Sequence, residues 1–363
     1  MAEKLKQHMT AAVLYGKEDV KIEQVPIPEL NHGEVLVKVN VALTCGTDLK
    51  VFLRGYHARM IVPPALFGHE LSGVIAETGP EVKNFRKGMK VVALNSAPCN
   101  SCFYCLRRQE NLCEDLLFNN GAYAEYIKIP RRIVETNMLA LPENLSFEAA
   151  AMTEPLACAI RGLEETGAGI GDTVVVIGAG PLGLMLMQVA KLTGCNVIAV
   201  VKRDEQIEVA KRFGADEVIQ TTKTNDPVKA VINATEGRGA DVAITAVGLP
   251  QTWQWVVDMV RRGGTVNFFG GCASDTKIEL DTNRLHYSEI TLKATFHHTP
   301  QTVRKAFALI TEKKVKSTDY VTGEAPLSGL KQVLQQMADR GSQIKTAIIP
   351  GHQDPKKHYA GIP

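Results

Sequence analysis

The sequence predicts an α/β protein of two domains, an irregular β-barrel followed by a doubly wound parallel sheet. Three observations carry this reading. Short strands of alternating polarity, broken by Gly, Pro and Asn, run through the first ~150 residues. From about Gly171 the rhythm changes to buried strand, helix, strand, as in a parallel sheet covered on both faces. A glycine-rich loop, Gly178-Ala179-Gly180-Pro181-Leu182-Gly183, sits between the first of these strands and its helix. The 363 residues suit about two domains, and an apolar content of 45% is enough for two cores.

The elements follow in order. Val35–Val39, Gly73–Glu77 and Lys90–Leu94 read as barrel strands, with a turn at Glu77-Thr78-Gly79-Pro80. In the second domain a buried strand, Thr173–Ile177, leads into a helix from Pro181 to Thr193. The strand Asn196–Val201 and the helix Glu205–Phe213 repeat that unit, and further buried strands are expected at Val242–Val247, Thr265–Phe269 and Ile290–Phe296. After Pro300 come another helix, the segment Asp319–Val321, a helix near Leu327–Arg340 and a final strand, Thr346–Ile349. That end is expected to return to the first domain, which places the boundaries at 1–155, 156–297 and 298–363. There is no internal repeat or low-complexity tract, and the polar tail Gly351–Pro363 reads as a loose or partner-docked end.

The glycine loop has the context that dinucleotide binding requires. Gly178 makes the tight turn after the strand, Gly180 lets the backbone approach a pyrophosphate, and Gly183 allows close helix–strand packing. Pro181 and Leu182 open a helix whose N-terminus offers positive potential to phosphate. An NAD site usually carries an acidic residue at the end of the second strand. Here the strand ends Val200-Val201-Lys202-Arg203-Asp204, so two cations follow the expected position. Lys202 and Arg203 suit a 2′-phosphate, which favours NADP over NAD. Asp204 reaches the ribose only if the register shifts by a few residues. Ala246-Val247-Gly248 and Phe269-Gly270-Gly271 end later strands on the ligand-binding edge, where backbone groups would meet the nicotinamide half.

Four of the eight cysteines, Cys99, Cys102, Cys105 and Cys113, are separated by two, two and seven residues. One tetrahedral structural zinc needs such a set from a compact lobe. Disulfides would contribute little to a chain of this size with no secretory leader. Three further segments present candidate ligands of a second metal: Cys45-Gly46-Thr47-Asp48, Gly68-His69-Glu70 and Thr153-Glu154-Pro155. Alone, each reads equally well as packing or structure.

Taken together, these motifs resemble the zinc-containing medium-chain alcohol and polyol dehydrogenases over nearly the whole chain. The resemblance implies a GroES-like catalytic barrel, a Rossmann coenzyme domain and a catalytic zinc in the cleft between them. It makes Cys45 and His69 metal ligands, with the remaining position shared between Glu70 and Glu154, which are expected to trade places as the site cycles. A carboxylate at Glu154 is similar to the sorbitol and threonine dehydrogenase branch, where liver and yeast alcohol dehydrogenases carry Cys. Thr47 matches the family's hydroxyl relay to the substrate oxygen, and Asp48 is expected to brace His69 or the backbone of its loop. Zinc with an open position would act as a Lewis acid on the alcohol, whose hydride passes to the nicotinamide. The implied reaction is oxidation of a secondary alcohol, polyol, sugar or amino alcohol to the ketone, with about two zinc ions per chain and a homodimeric or homotetrameric assembly. Edge strands of coenzyme domains would join the copies, with Thr265–Phe269 or Ile290–Phe296 as the candidates.

One position departs from the family: many relatives have a histidine five residues past the zinc cysteine, and here it is Lys50. Phe52, Tyr56 and His57 fall where the family's substrate cleft is often lined. Cys158, one turn past Glu154, reads as packing, and Cys195 and Cys272 as core or loop thiols. His297 and His298 are placed near either the nicotinamide or a subunit interface. Two other readings stand beside the dehydrogenase: a zinc-free quinone or enoyl reductase of the same superfamily, and a non-catalytic dinucleotide-binding protein. The first would lack both cysteine sets, and the second is expected to have lost a ligand. A net charge of +2 with scattered Lys and Arg shows no nucleic-acid footprint. No run of 18 apolar residues and no signal-like opening are present, so a cytoplasmic protein off the membrane is expected.

Overall fold

The computed structural model of the protein describes residues 7–57 and 60–351, so most of the polar tail lies outside the described residues. The chain divides into two compact units, residues 7–154 with 306–351 and residues 155–305. Each has its own apolar core.

In the first unit the central strand is Val35–Leu43, whose residues are almost all buried. It pairs antiparallel with Glu70–Thr78, Tyr126–Ile129 and Lys345–Ile349. Lys90–Ala93 and Met138–Ala140 extend the sheet on one side and Val321–Pro326 on the other. A smaller sheet joins Asp19–Pro26, His8–Gly16 and Ala65–Leu66. The alternation seen at 35–39 and 73–77 therefore belongs to longer strands. The final strand begins one residue earlier than expected, at Lys345, and inserts beside Val35–Leu43, while Ala325, Leu327, Leu330, Val333, Leu334 and Ile348 join the same core. Burial of these side chains, at about 25 cal/mol per Å² of apolar area, holds the C-terminal segment on this unit.

The second unit is a six-stranded parallel sheet. Its order is Glu217–Gln220, Asn196–Val201, Thr173–Ile177, Ala240–Thr245, Val260–Phe268, Thr291–Ala294. The order reverses between Thr173–Ile177 and Ala240–Thr245, and ligands of doubly wound sheets bind at such a switch point. Thr173–Ile177 is buried throughout, in keeping with its unbroken β-branched run.

Two strand expectations need correction. The run Ile290–Phe296 is not buried: the strand spans Thr291–Ala294, at the sheet edge, and three of its four residues are exposed. Its apolar composition made it look internal, whereas Lys293 on it pairs with Glu165. Of Thr265–Phe269, all but Phe269 belongs to the longer strand Val260–Phe268, paired on both sides, and so cannot serve as a joining edge.

Candidate catalytic and metal centres

Cys45 caps the helix Gly46–Arg54. Its Sγ accepts from the Thr47 N–H at 3.4 Å, while Asp48 Oδ2 accepts from the Cys45 N–H at 3.1 Å. This is a capping box with sulfur in place of hydroxyl, and it satisfies donors at the helix start. The cap fixes the direction of the thiol. Phe52, expected near a substrate cleft, is fully buried in the barrel core on this helix. Its ring lies on the apolar face that anchors the helix. Lys50 and Tyr56 are exposed, and His57 is partly buried, with its backbone bridged to Ile61.

Gly68, just before the second ligand segment, has φ +87° and faces the ring of Tyr123; a Cβ there would lie 2.6 Å from Tyr123 Cδ2. Only glycine fits. The next residue, His69, is 5% exposed, and its Nδ1 lies 3.0 Å from Asp48 Oδ1. The donor atoms of Cys45, His69 and Glu70 all lie within 4.8 Å of one another. Burial lowers the affinity of the His69 imidazole for a proton, but the Asp48 and Cys45 charges outweigh it and raise its pKa well above the usual range. This is a largely buried set of N, S and O donors, with Asp48 behind the imidazole, which suits zinc.

Glu70 is already engaged. Lys345 Nζ donates to both of its carboxylate oxygens, at 2.8 and 2.6 Å, and to the Thr44 carbonyl at 2.8 Å. Both side chains are essentially inaccessible. Burial pushes the Glu70 carboxyl upward and Lys345 pulls it back; burial alone would lower Lys345, but Glu70 holds its ammonium above its usual range. Lys345 had no signal in the sequence, because a lysine opening a strand ordinarily reads as a surface residue. Tyr123 was missed as well. Its hydroxyl donates to Asp48 Oδ2 at 2.7 Å, and its pKa is raised well above the phenol range by burial and then by Asp48.

Glu154 stands outside the 4.8 Å cluster of Cys45, His69 and Glu70, in the first turn of the helix Thr153–Glu164. It is buried, and its carboxyl is pushed up to about 7, chiefly by burial, with His69 acting in the opposite direction. Such a carboxyl gains from a nearby cation.

The four cysteines of the knuckle converge within 4.8 Å. Sulfur–sulfur separations of 3.5 Å (Cys102–Cys105) and 3.9 Å (Cys99–Cys105 and Cys102–Cys113) are far too long for disulfides. They match the edge of about 3.8 Å that a tetrahedron with 2.3 Å zinc–sulfur bonds requires. Backbone N–H groups of Ser101 and Cys102 point at Cys99 Sγ, and that of Cys99 at Cys113 Sγ, as thiolates require. These hydrogen bonds bring the Cys99 thiol down to about 6, while burial pushes Cys105 up to about 12. All eight cysteines are free, and Cys195 is buried with its thiol donating to the Gly169 carbonyl.

At the switch point the glycine loop is shaped for a phosphate. A Cβ on Gly183 would lie 1.8 Å from the Gly178 carbonyl oxygen, and one on Gly178, at φ +100°, 2.5 Å from Val247 Cγ2. Gly180 has nothing within 4 Å of such an atom, leaving open space where it caps the helix Pro181–Leu192. Gly248 and Gly270 pack against backbone at the ends of the next strands, beside Val247 and Phe269. The strand Asn196–Val201 ends at Val201. Lys202 is exposed, and Arg203 pairs with Glu205 at 3.0 Å. Asp204 is turned to Gln220 (2.9 Å) and Lys223 (3.1 Å). In the second unit, His298 is buried and its ring lies 4.0 Å from that of His297, which sits at φ +65°.

The chain matches the alcohol dehydrogenase GroES-like domain over residues 31–140 and the zinc-binding dehydrogenase family over residues 181–312. It is 32% identical over 345 residues to the sorbitol dehydrogenase of Bacillus subtilis, covering 92% of this chain and 96% of that one. Among solved structures, the alcohol dehydrogenase TADH of Thermus sp. ATN1 superposes with a TM-score of 0.85 at 30% identity, covering 94% and 99% of the two chains. A zinc-binding dehydrogenase of Sinorhizobium meliloti bound to NADP gives 0.87 at 25% identity, covering 95% and 100%.

Proposed function

This chain belongs to the zinc-dependent medium-chain alcohol and polyol dehydrogenases, an oxidoreductase family, and on that premise we propose that it oxidises a secondary alcohol, polyol, sugar or amino alcohol to the ketone with NADP. The observation that carries the site assignment is the meeting of Cys45, His69 and Glu70 donors within 4.8 Å, with Asp48 behind the imidazole. When bound there, zinc supplies Lewis acidity toward the substrate oxygen. Cys45 and His69 would hold it. Glu154, buried but outside that cluster, would have to move in to supply a third protein donor while both oxygens of Glu70 are committed to Lys345. Glu70 is the alternative donor once that pair opens. Thr47, at the start of the capped helix, takes the proton of the substrate hydroxyl into a hydroxyl relay.

The fingerprint loop holds the pyrophosphate on the helix Pro181–Leu192, and the backbone at Val247, Gly248, Phe269 and Gly270 contacts the nicotinamide half. The NADP preference is supported by the absence of a carboxylate at the strand end, by exposed Lys202, and by the engagement of Asp204 elsewhere. Arg203 would exchange Glu205 for the 2′-phosphate. Cys99, Cys102, Cys105 and Cys113 hold the structural zinc. Free thiols throughout support a reducing, cytoplasmic setting. Among the described residues no helix is long and apolar enough to cross a membrane. The edge strand Thr291–Ala294 supports a homo-oligomer built by sheet extension.

The test is cofactor reduction by the zinc-loaded protein against polyols, sugars, L-threonine and simple secondary alcohols, with NAD and NADP in parallel. Turnover with one class identifies the substrate. Tighter NAD than NADP would remove the role of Lys202 and Arg203, and no turnover with any class would favour a non-catalytic dinucleotide-binding protein.

A further inference from the structure

We propose that Tyr123 is a positioning residue for the metal centre, acting through Asp48 to orient both Cys45 and His69. The reading rests on the assignment of Cys45 and His69 as metal ligands. Tyr123 is fully buried, and its segment is tied to the second ligand segment by the backbone: Tyr123 N–H donates to the Phe67 carbonyl at 3.1 Å, and Gly121 and Ala122 N–H donate to the Gly68 carbonyl. Its ring stands edge-on to Phe67 at 5.1 Å and occupies the space a side chain at position 68 would fill. The phenol is thus fixed by packing before it makes any polar contact.

Its hydroxyl has one proton and two acceptors within reach, Asp48 Oδ2 at 2.7 Å and the Leu43 carbonyl at 3.2 Å. The shorter contact is to a carboxylate, and a donor to an ionised group makes the stronger bond. Asp48 has two oxygens and three partners. Oδ2 takes the Tyr123 hydroxyl and the Cys45 N–H, and Oδ1 faces His69 Nδ1. With Tyr123 in place the carboxylate plane cannot rotate without losing a bond on one oxygen. Oδ1 therefore stays on the imidazole, which leaves Nε2 as the nitrogen free for metal. Oδ2 stays on the backbone that aims the Cys45 thiol. One phenol thus couples two ligands that are 24 residues apart in sequence. Phenylalanine would pack equally well and supply none of this.

The experiment uses the full-length zinc protein and compares wild type with Tyr123→Phe. Zinc is titrated away with a chelator, and the four-cysteine site acts as an internal reference. Loss from the catalytic site of Tyr123→Phe is expected at about ten-fold lower chelator, the low end of what outer partners of metal ligands contribute. The knuckle zinc should leave at an unchanged concentration, and kcat should fall with KM little altered. In an Asp48→Asn background the same Tyr123→Phe change should have no further effect. Identical chelator curves for wild type and Tyr123→Phe would overturn the proposal. So would equal weakening of both zinc sites, or a lower thermal midpoint without selective loss, since either marks a purely structural role. Should Asp48→Asn not fold, the Tyr123→Phe curve alone decides. A wild type that holds only the knuckle zinc overturns the ligand assignment itself, an outcome distinct from failure of the Tyr123 role.

Discussion

The four-cysteine knuckle and the Cys45–His69–Glu70 cluster place their donors within the same 4.8 Å, yet they are built in opposite ways. The knuckle draws on 15 consecutive residues, and its sulfurs are steadied by backbone N–H groups from the same loop. The other cluster gathers a helix cap, a glycine turn and a strand start, then braces them with Asp48, Tyr123 and Lys345 from across the unit. Local construction suits a metal that only holds a lobe. A reactive metal needs a position left open, and that demands donors held by the surrounding fold and not by one another.

The comparison can be tested by removing parts of each site. Cys45→Ala or His69→Ala is expected to lower kcat/KM on the order of 10³-fold or more, because several kcal/mol of charge stabilisation are lost. Circular dichroism and the knuckle zinc should remain. Activity retained by a variant whose catalytic site is shown to be metal-free would break the comparison. Lys345→Met leaves a buried carboxylate without its partner, which typically costs about 3–5 kcal/mol. Urea unfolding of the first unit should show that loss, and Lys345→Met with Glu70→Gln should recover much of it. An unchanged midpoint for Lys345→Met would mean that Glu70 is neutral in the folded protein.

The knuckle should respond differently. Cys102→Ser is expected to release one zinc per chain, read by metal analysis, while the catalytic zinc stays. The cost should appear as protease cleavage within residues 99–113 before any loss of turnover. If both zinc ions leave together, the two sites are coupled, contrary to their separate construction. A reversible effect is expected from mild chelation of the wild type. Activity and one zinc should be lost in parallel, and readded zinc should restore both. Recovery of zinc without activity would point to rearrangement of the braced cluster.

Legibility in the sequence followed the same division. The knuckle was readable because its donors and their spacing are contiguous, and the dinucleotide loop because strand, loop and helix are adjacent. Cys45, His69, Glu70 and Glu154 could be named as candidate ligands from their segments, but only the resemblance joined them, since nothing in the separate segments says that Cys45, His69 and Glu70 meet. The strand Thr291–Ala294 was misread as buried because apolar composition records what a strand contains, not whether a neighbour pairs with its outer edge. Phe52 was misplaced because the helix that buries it is marked by a cysteine cap, an unusual start signal.

The sequence alone determined the α/β class, the switch from barrel to parallel sheet, the phosphate loop and the cysteine knuckle. Each of these depends on interactions between residues close in the chain. Tertiary structure decided that Lys345 pairs with Glu70 across 275 positions, that Asp48 contacts both Cys45 and His69, and that Tyr123 stands behind Asp48. Those are pairings of buried charges and hydroxyls. Their partners are chosen by which strands lie side by side, which no local pattern encodes.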